Sequence, residues 1–258
     1  MSDLAPYIII GVLGALVGSF LNVCIYRIPR NLSIISPSSR CPSCNMPIRP
    51  YDNIPVFSYV LLGGKCRVCK AAISVRYPFV ELLNAVLYLL VLYRFGFAWH
   101  TAIYGILCSA LIVITFVDLD FQIIPDVITL PGIVVGIVAG SLLMPDPFMR
   151  HALLGFTSSA LGLLAGGGLF YAIAVISKGG MGGGDIKMMA MVGAVMGWKA
   201  VLLTIFLGSL TGAFFGIILM ATQGKGRKTK IPFGPFLALG TLITLFFGQE
   251  IFSWYFSG

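Results

Sequence analysis

Charged residues are scarce in this chain. Only 10% of its 258 residues are Asp, Glu, Lys or Arg, while 58% are hydrophobic and the mean hydropathy is +0.98. An ordinary soluble domain carries about 25% charged residues, so this chain has too few to cover the surface of a soluble globular protein. The same apolar composition excludes an intrinsically disordered chain. The composition therefore indicates a protein that crosses a membrane several times.

Histidine is also scarce. The chain has two, His100 and His151, in loops without a neighbouring serine or cysteine nucleophile motif, and the metalloprotease motif HExxH does not occur. The needed general base of a histidine-dependent hydrolase is therefore missing. These absences argue against such a hydrolase and against a catalytic zinc site.

What is present is a series of eight apolar runs. They cover residues 7–26, 78–97, 100–118, 127–145, 151–176, 186–198, 200–222 and 232–256. Most approach the roughly 20 residues that a membrane-spanning helix needs, although the run at 186–198 is short. The first run lacks the basic start of a cleaved signal peptide, so we predict a retained helix. We predict an all-α polytopic membrane protein with about eight transmembrane helices.

The distribution of basic residues predicts the orientation. If the loop 27–76 is cytoplasmic, the loops near residues 120, 180 and 225 are cytoplasmic too, and 14 of the 17 bases lie on that side. Lys and Arg accumulate in cytoplasmic loops, so we predict a non-cytoplasmic N-terminus and a cytoplasmic loop 27–76. The net charge of +8 then reflects topology and anionic lipid headgroups rather than nucleic acid.

The loop 27–76 carries two CxxC pairs. CPSC supplies Cys41 and Cys44, and CRVC supplies Cys66 and Cys69, with 21 residues between the pairs. Four thiolates at this spacing can close a tetrahedral, structural zinc site. Two disulfides and a redox-active dithiol are the alternatives, but a cytoplasmic loop is reducing. We predict a small zinc-ribbon-like cytoplasmic domain between the first two spans, whereas Cys24 and Cys108 lie in apolar runs and are expected to act as small hydrophobic residues.

Acidic residues are few, and their positions are informative. Four of the nine acids fall in two segments: FVDLDFQIIPD contains Asp118, Asp120 and Asp126, and GMGGGDIK contains Asp185. A carboxylate at the boundary of a membrane span is costly and indicates function. Asp118 directly follows an apolar run, whereas Asp120 and Asp126 are equally consistent with loop residues or helix caps.

Asp185 has two interpretations. Its carboxylate can cap the following helix, or the preceding glycines can bend the chain towards a cavity within the membrane. The predicted topology puts Asp118 and Asp185 at the same cytoplasmic edge of different helices. Two neighbouring carboxyls share a proton, so one can activate water while the other protonates the leaving group. This pair therefore predicts aspartic peptide hydrolysis.

With these motifs the chain resembles the type IV prepilin peptidases, and the resemblance extends over nearly its whole length. The motifs are GSFLNVCIYRIPR at 18–30, the two CxxC pairs, RPYDNIPVFSY at 49–59, SVRYPFVELL at 74–83, DLDFQIIPD at 118–126, GMGGGDIKMMAMVGAVMGW at 180–198 and IPFGPFLALG at 231–240. Their number and order are specific, whereas a lone GxGD also occurs in presenilin-like and signal-peptide-peptidase-like proteases.

The resemblance implies a bifunctional enzyme of the bacterial inner membrane. Asp118 and Asp185 are then the catalytic pair, and the four cysteines bind zinc. The family cleaves the basic leader of type IV prepilins and pseudopilins on the cytoplasmic side, after a glycine. It then methylates the new N-terminal residue, usually Phe, with S-adenosylmethionine. The implied partners are these precursors and membrane lipids, without nucleic acid.

The methyltransferase half has fewer signals in the residues. No GxGxxG motif follows a predicted strand, so a soluble Rossmann domain is not expected. Glu81, near the start of the second span, is a candidate contact for the cofactor or the substrate amine, but a helix N-terminal carboxylate stabilised by the dipole is an equal alternative. The predicted division is a first helix at 1–26, the four-cysteine domain at 27–76, a second helix at 77–100 and the peptidase domain at 101–258.

Two other functions are compatible with the same residues. One is a peptidase without methyltransferase activity, against which the cysteine-bearing domain argues. The other is an ion or metal transporter, in which Asp118 and Asp185 bind the cation. Many transporters contain inverted repeats, and no such repeat is evident in this sequence.

Overall fold

The computed structural model describes residues 4–149, 152–178, 180–223 and 232–256. Within these residues the secondary structure is helical, with isolated β-bridges and no strand. The helices are α1 (Ala5–Arg27), α2 (Phe57–Leu61), α3 (Arg76–Phe95), α4 (Trp99–Phe121), α5 (Asp126–Leu142), α6 (Gly155–Ile176), α7 (Gly183–Gln223) and α8 (Gly234–Phe256). The predicted all-α class is confirmed.

Six helices in the described part of the chain are long and apolar enough to cross a membrane, namely α1, α3, α4, α6, α7 and α8. The eight predicted runs correspond to these six helices and α5, because α7 covers two of the runs. Gly197 interrupts α7 with φ 81° and ψ 173°, a conformation open mainly to glycine, so α7 covers both the 186–198 and 200–222 runs. The 127–145 run forms α5, which has only 17 residues.

Some of the residues used to predict the orientation lie outside the described residues. The basic loop 225–230, His151 and Arg150 lie in segments that the structure does not describe. The bases of the loop 27–76 lie between α1 and α3 or at the two helix ends that border the loop, as the sequence predicts.

The chain forms two compact units, which divide within α4 between Val113 and Ile114. In the first unit, buried polar side chains join the helices. Asn84 on α3 donates from Nδ2 to the carbonyl of Gly14 on α1 at 2.7 Å. Ser109 on α4 donates from Oγ to Asn84 Oδ1 at 2.9 Å. Such interhelical hydrogen bonds contribute about 0.6–2 kcal/mol each in membrane proteins, and they fix α1, α3 and α4 in one register.

In the second unit, α6 and α7 pack with their backbones almost in contact. A Cβ added at Gly162 would lie 2.1 Å from the carbonyl oxygen of Gly193, and one at Gly166 would lie 2.2 Å from that of Met189. Small residues allow the two helices to approach this closely. In lipid there is no hydrophobic effect between helices, and van der Waals packing at such contacts drives their association instead. The first half of α7, which carries Asp185, is thereby held firmly against α6.

Candidate active site and metal centre

The four cysteines of the loop 27–76 converge on one point. The sulfur atoms of Cys41, Cys44, Cys66 and Cys69 all lie within 4.8 Å of one another. This clustering confirms the sequence prediction that the two CxxC pairs form one group. Four sulfurs so placed can hold a metal ion.

The two CxxC segments have the same local structure. Cys41 N–H donates to Met46 O at 3.0 Å, and Cys66 N–H donates to Ala71 O at 2.8 Å. The residue after each second cysteine is left-handed, with φ 57° at Asn45 and 59° at Lys70. Each segment therefore forms a turn that points two sulfurs to the same side. This repeat was not evident from the sequence, because the two segments share only their cysteines.

The electrostatics of the sulfurs favour a cation. Backbone hydrogen bonds from Cys44 and Ser43 lower the pKa of the Cys41 thiol to about 6. At Cys69 the backbone of Ala71 acts to lower the pKa, but desolvation and the neighbouring sulfurs together raise it to about 11. Four crowded thiols cannot all ionise alone, whereas a bound metal deprotonates its thiol ligands.

An ion pair joins the metal centre to the segment before α2. Arg67, inside the second CxxC pair, donates to both carboxylate oxygens of Asp52, from Nε to Oδ2 at 2.9 Å and from Nη2 to Oδ1 at 2.6 Å. The Arg67 hydrogen bond lowers the pKa of Asp52. The guanidinium groups of Arg49 and Arg67 lie 5.8 and 5.6 Å from the ring centre of Tyr51, within cation–π range.

Glu81 connects α3 to the loop. Its side chain is buried, and Oε2 accepts a hydrogen bond from the backbone N–H of Val56 at 2.7 Å. Val56 has φ 61° and ψ −48°, and Phe57 N–H reaches Pro55 O at 2.5 Å. This is a γ-turn of the rare, strained hand. Glu81 therefore holds a strained turn of the loop, a contact that the sequence did not indicate.

Asp118 and Asp185 lie at helix ends in the second unit. Asp118 is in the last turn of α4 and is only 7% exposed, and Asp185 is the third residue of α7. A Cβ at Gly184 would lie 2.6 Å from the Cβ of Ile124, so the start of α7 contacts the segment that follows α4. The charges of the two aspartates interact.

A backbone donor contacts Asp118 from a third helix. The N–H of Gly234, the first residue of α8, donates to Asp118 Oδ2 at 2.9 Å. Gly234 lies in the motif IPFGPFLALG, but the motif did not indicate the contact with Asp118. The glycine–proline step at the start of an apolar run was the available signal.

The other two acids of the DLDFQIIPD segment differ from Asp118. Asp120 is exposed at the end of α4. Asp126 begins α5, and both of its oxygens accept hydrogen bonds from Lys187 Nζ on α7 at 2.7 Å. Asp126 thus ties α5 to α7 two residues beyond Asp185. Lys187 was not singled out from the sequence.

Two further predictions concern residues outside these sites. Cys24 and Cys108 are buried at 6% and 0% exposure, as expected for small hydrophobic residues. His100 contacts Phe95 and Tyr104 through ring edges. Neither of these two contacts is a serine or a cysteine.

The fold and these side chains define a polytopic membrane protein with a cluster of four cysteines that can hold a metal ion in one unit and two aspartates at helix ends in the other. Comparison with known proteins agrees with this class. The Bacterial Peptidase A24 N-terminal domain matches residues 12–95, and the Type IV leader peptidase family matches residues 105–217. No solved structure matches the chain.

Curated relatives are similar over most of their length. The prepilin leader peptidase/N-methyltransferase of Pseudomonas aeruginosa is 38% identical, over 93% of this chain and 89% of that protein. The proteins of the same name from Legionella pneumophila and Neisseria gonorrhoeae are 35% and 36% identical, over 96% and 93% of this chain and 94% and 90% of their own length. This chain belongs to the type IV leader peptidase family.

Proposed function

We propose that this chain cleaves the basic leader of type IV prepilins and pseudopilins and then N-methylates the new N-terminal residue, usually Phe. The observation that carries the peptidase half is the contact between the start of α7, which carries Asp185, and the segment that follows α4, which carries Asp118. The relatives' name, prepilin leader peptidase/N-methyltransferase, supports both halves. We assign methyl transfer to residues 27–76 with their flanking helices, and cleavage to residues 101–258.

In the proposed mechanism the two aspartates share one proton. The ionised carboxylate removes a proton from water, and the resulting hydroxide adds to the scissile carbonyl carbon. The protonated carboxyl gives its proton to the carbonyl oxygen. When the tetrahedral intermediate collapses, the C–N bond breaks, and the leaving amine takes a proton from the first aspartate. The second aspartate recovers its proton from the intermediate, so the pair returns to its starting state.

The four cysteines suit a structural zinc ion. Four thiolates fill a tetrahedral shell and leave no open position for catalysis, and the clustered sulfurs agree with that donor set. The loop 27–76 has little apolar content, and so small a domain needs a metal or disulfides to fold. We therefore propose that zinc stabilises the domain and takes no part in the chemistry.

S-adenosylmethionine is the proposed methyl donor, and it supplies an electrophilic methyl group. Glu81 is the candidate contact for the positive charge of the donor or of the substrate amine. It is a buried carboxylate beside the loop, and the Val56 N–H orients it. The role as an anchor for the strained turn is the competing interpretation.

The proposed location is the bacterial inner membrane, with the N-terminus outside the cytoplasm and the four-cysteine loop inside. This orientation rests on the 14 bases assigned to the cytoplasmic side, which also favour contact with anionic lipids. Cleavage then occurs near the cytoplasmic surface, where a basic leader enters while the apolar pilin helix stays in the bilayer.

The decisive experiment replaces each aspartate in turn. We expect Asp118→Asn and Asp185→Asn to lower the rate of precursor cleavage by at least about 100-fold, because each removes a proton-transfer group. Gel shift of a prepilin incubated with the purified variants measures cleavage. Asp120→Asn, on the exposed end of the same helix, is the matched control and should cleave normally. Normal processing by either test variant would refute the assignment.

The same assay separates the alternatives. A mature product that mass spectrometry finds unmethylated in the presence of S-adenosylmethionine leaves only the peptidase. Cleavage by protein in detergent micelles, where no ion gradient exists, rules out transport as the main role.

A further inference from the structure

The proposed catalytic pair has a neighbour whose role is not assigned by the family match, which ends at residue 217. We infer that Gly234 is a positioning residue of the peptidase site. Its backbone N–H holds Asp118 Oδ2 as a permanent acceptor, so that Asp118 exchanges its catalytic proton through Oδ1. This inference rests on the proposed function, because it concerns the proposed catalytic Asp118.

The hydrogen bond links distant parts of the chain at a buried carboxyl. Gly234 N–H lies 2.9 Å from Oδ2 across 116 residues of sequence, and the Asp118 side chain is 7% exposed. The first N–H groups of a helix have no partner within the helix. Gly234 begins α8, and Asp118 supplies the missing acceptor. Both groups are thereby satisfied at a buried position.

A side chain at position 234 would displace the Asp118 carboxyl. An added Cβ would lie 2.6 Å from Asp118 Oδ2 and 3.2 Å from its Cγ, whereas real Cβ atoms do not approach another heavy atom within 3.0 Å. Any other residue therefore pushes the carboxyl away. Pro235 follows directly, and proline near the start of a helix presets the backbone for the first turn. The glycine–proline step thus defines where the N–H points.

The consequence for proton transfer follows from hydrogen-bond chemistry. An N–H donor pairs with an oxygen that presents a lone pair, so a proton on Asp118 resides on the other oxygen. Whichever of the two proton-transfer roles Asp118 has, its proton exchange then occurs at one defined atom. Displacement of catalytic groups by about 1 Å lowers rates by about 100-fold. Gly234 therefore acts on the rate of the chemical step rather than on substrate affinity.

The test compares two glycine-to-alanine variants of α8 in the full-length purified enzyme. Gly234→Ala introduces the clash with Asp118. Gly248→Ala is the control, because its Cβ would have only ordinary contacts, the nearest at 3.6 Å from Phe148. Cleavage of a prepilin gives kcat and KM, and methylation of an already cleaved pilin peptide reports whether the protein is intact. We expect Gly234→Ala to lose about 100-fold in kcat, with KM and methylation unchanged, and Gly248→Ala to keep all three.

Wild-type kcat in Gly234→Ala overturns the inference. If Gly234→Ala loses methylation as well, Pro235→Ala decides, because it keeps the Gly234 N–H but loosens the first turn. A lower kcat at unchanged KM and methylation in Pro235→Ala supports the inference, and wild-type kcat overturns it. A failure of the proposed function can be distinguished from a failure of this inference. If Asp118→Asn cleaves normally in this assay, the catalytic pair is wrong, whereas an inactive Asp118→Asn beside a fully active Gly234→Ala refutes only the role of Gly234.

Discussion

The metal centre of the first unit and the carboxyl pair of the second are built in opposite ways. The metal centre comes from two short turns, whose hydrogen bonds, such as Cys41 to Met46 and Cys66 to Ala71, are local. The carboxyl pair comes from helix packing, in which Gly184 meets Ile124 and Gly234 meets Asp118. The first site therefore depends on a ligand that closes it, and the second depends on the absence of side chains at contact points.

The largest expected effect is the loss of the four-cysteine site while the second unit stays intact. Cys44→Ser removes one of the four proposed zinc ligands, and structural zinc contributes about 10–16 kcal/mol of apparent binding free energy in small domains. We expect the loop 27–76 to unfold and methylation to be lost, while cleavage falls much less. Limited proteolysis and zinc content report the unfolding. Cys24→Ala, at a buried cysteine outside the cluster, should retain zinc, and indifference of both activities to Cys44→Ser would contradict our account of the domain.

The reciprocal prediction breaks the second unit alone. Gly162→Leu places a side chain against the backbone of Gly193, and overpacking of this kind typically costs about 1–3 kcal/mol. We expect cleavage to fall sharply because α7 carries Asp185, while zinc content stays normal. Gly168→Leu is the matched control on the same helix, since a Cβ there meets nothing within 4 Å. Thermal unfolding and precursor cleavage measure both variants. Equal behaviour of the two would show that the close α6–α7 contact is unimportant.

A smaller effect is expected from substitutions of Glu81, whose side chain connects α3 to the loop 27–76. Glu81→Gln keeps an oxygen that accepts from Val56 N–H but removes the charge. If the carboxylate contacts a cation, we expect Glu81→Gln to lose about 10-fold in methylation, in line with a charge-assisted hydrogen bond. Glu81→Ala removes the anchor as well and is the comparison variant. Normal methylation in Glu81→Gln together with loss in Glu81→Ala assigns Glu81 to anchoring.

The smallest effect concerns the ion pair beside the metal centre. The pKa of Asp52 is held below its ordinary value by the hydrogen bond from Arg67. The pair therefore stabilises the folded loop above the ordinary Asp range near about pH 4, and this contribution is lost as pH falls through the lower folded pKa. Exposed pairs contribute little, so Asp52→Asn should change zinc affinity by about twofold or less at about pH 7. A much larger change would mean that Asp52 does more than hold Arg67.

The sequence predicted the parts of this protein that local chemistry determines. The apolar runs became helices, and Cys41 to Cys69 came together, because hydrophobic length and CxxC spacing act over short distances. The Asp126–Lys187 ion pair, the Gly234 donor and the Glu81–Val56 contact join remote segments. They depend on tertiary packing, which no local pattern encodes. The catalytic roles of Asp118 and Asp185 stay predictions until the variants are measured.

The repeated turn of the metal centre has one more consequence. CPSCNMP at 41–47 and CRVCKAA at 66–72 share one backbone conformation around their cysteines, with bridges at Arg40–Pro47 and Lys65–Ala72. Each turn contributes two of the four clustered sulfurs, so the two turns are equivalent in the ligands that they supply. A chain in which the two segments exchange places should therefore still bind zinc, although the Arg67–Asp52 ion pair would be lost.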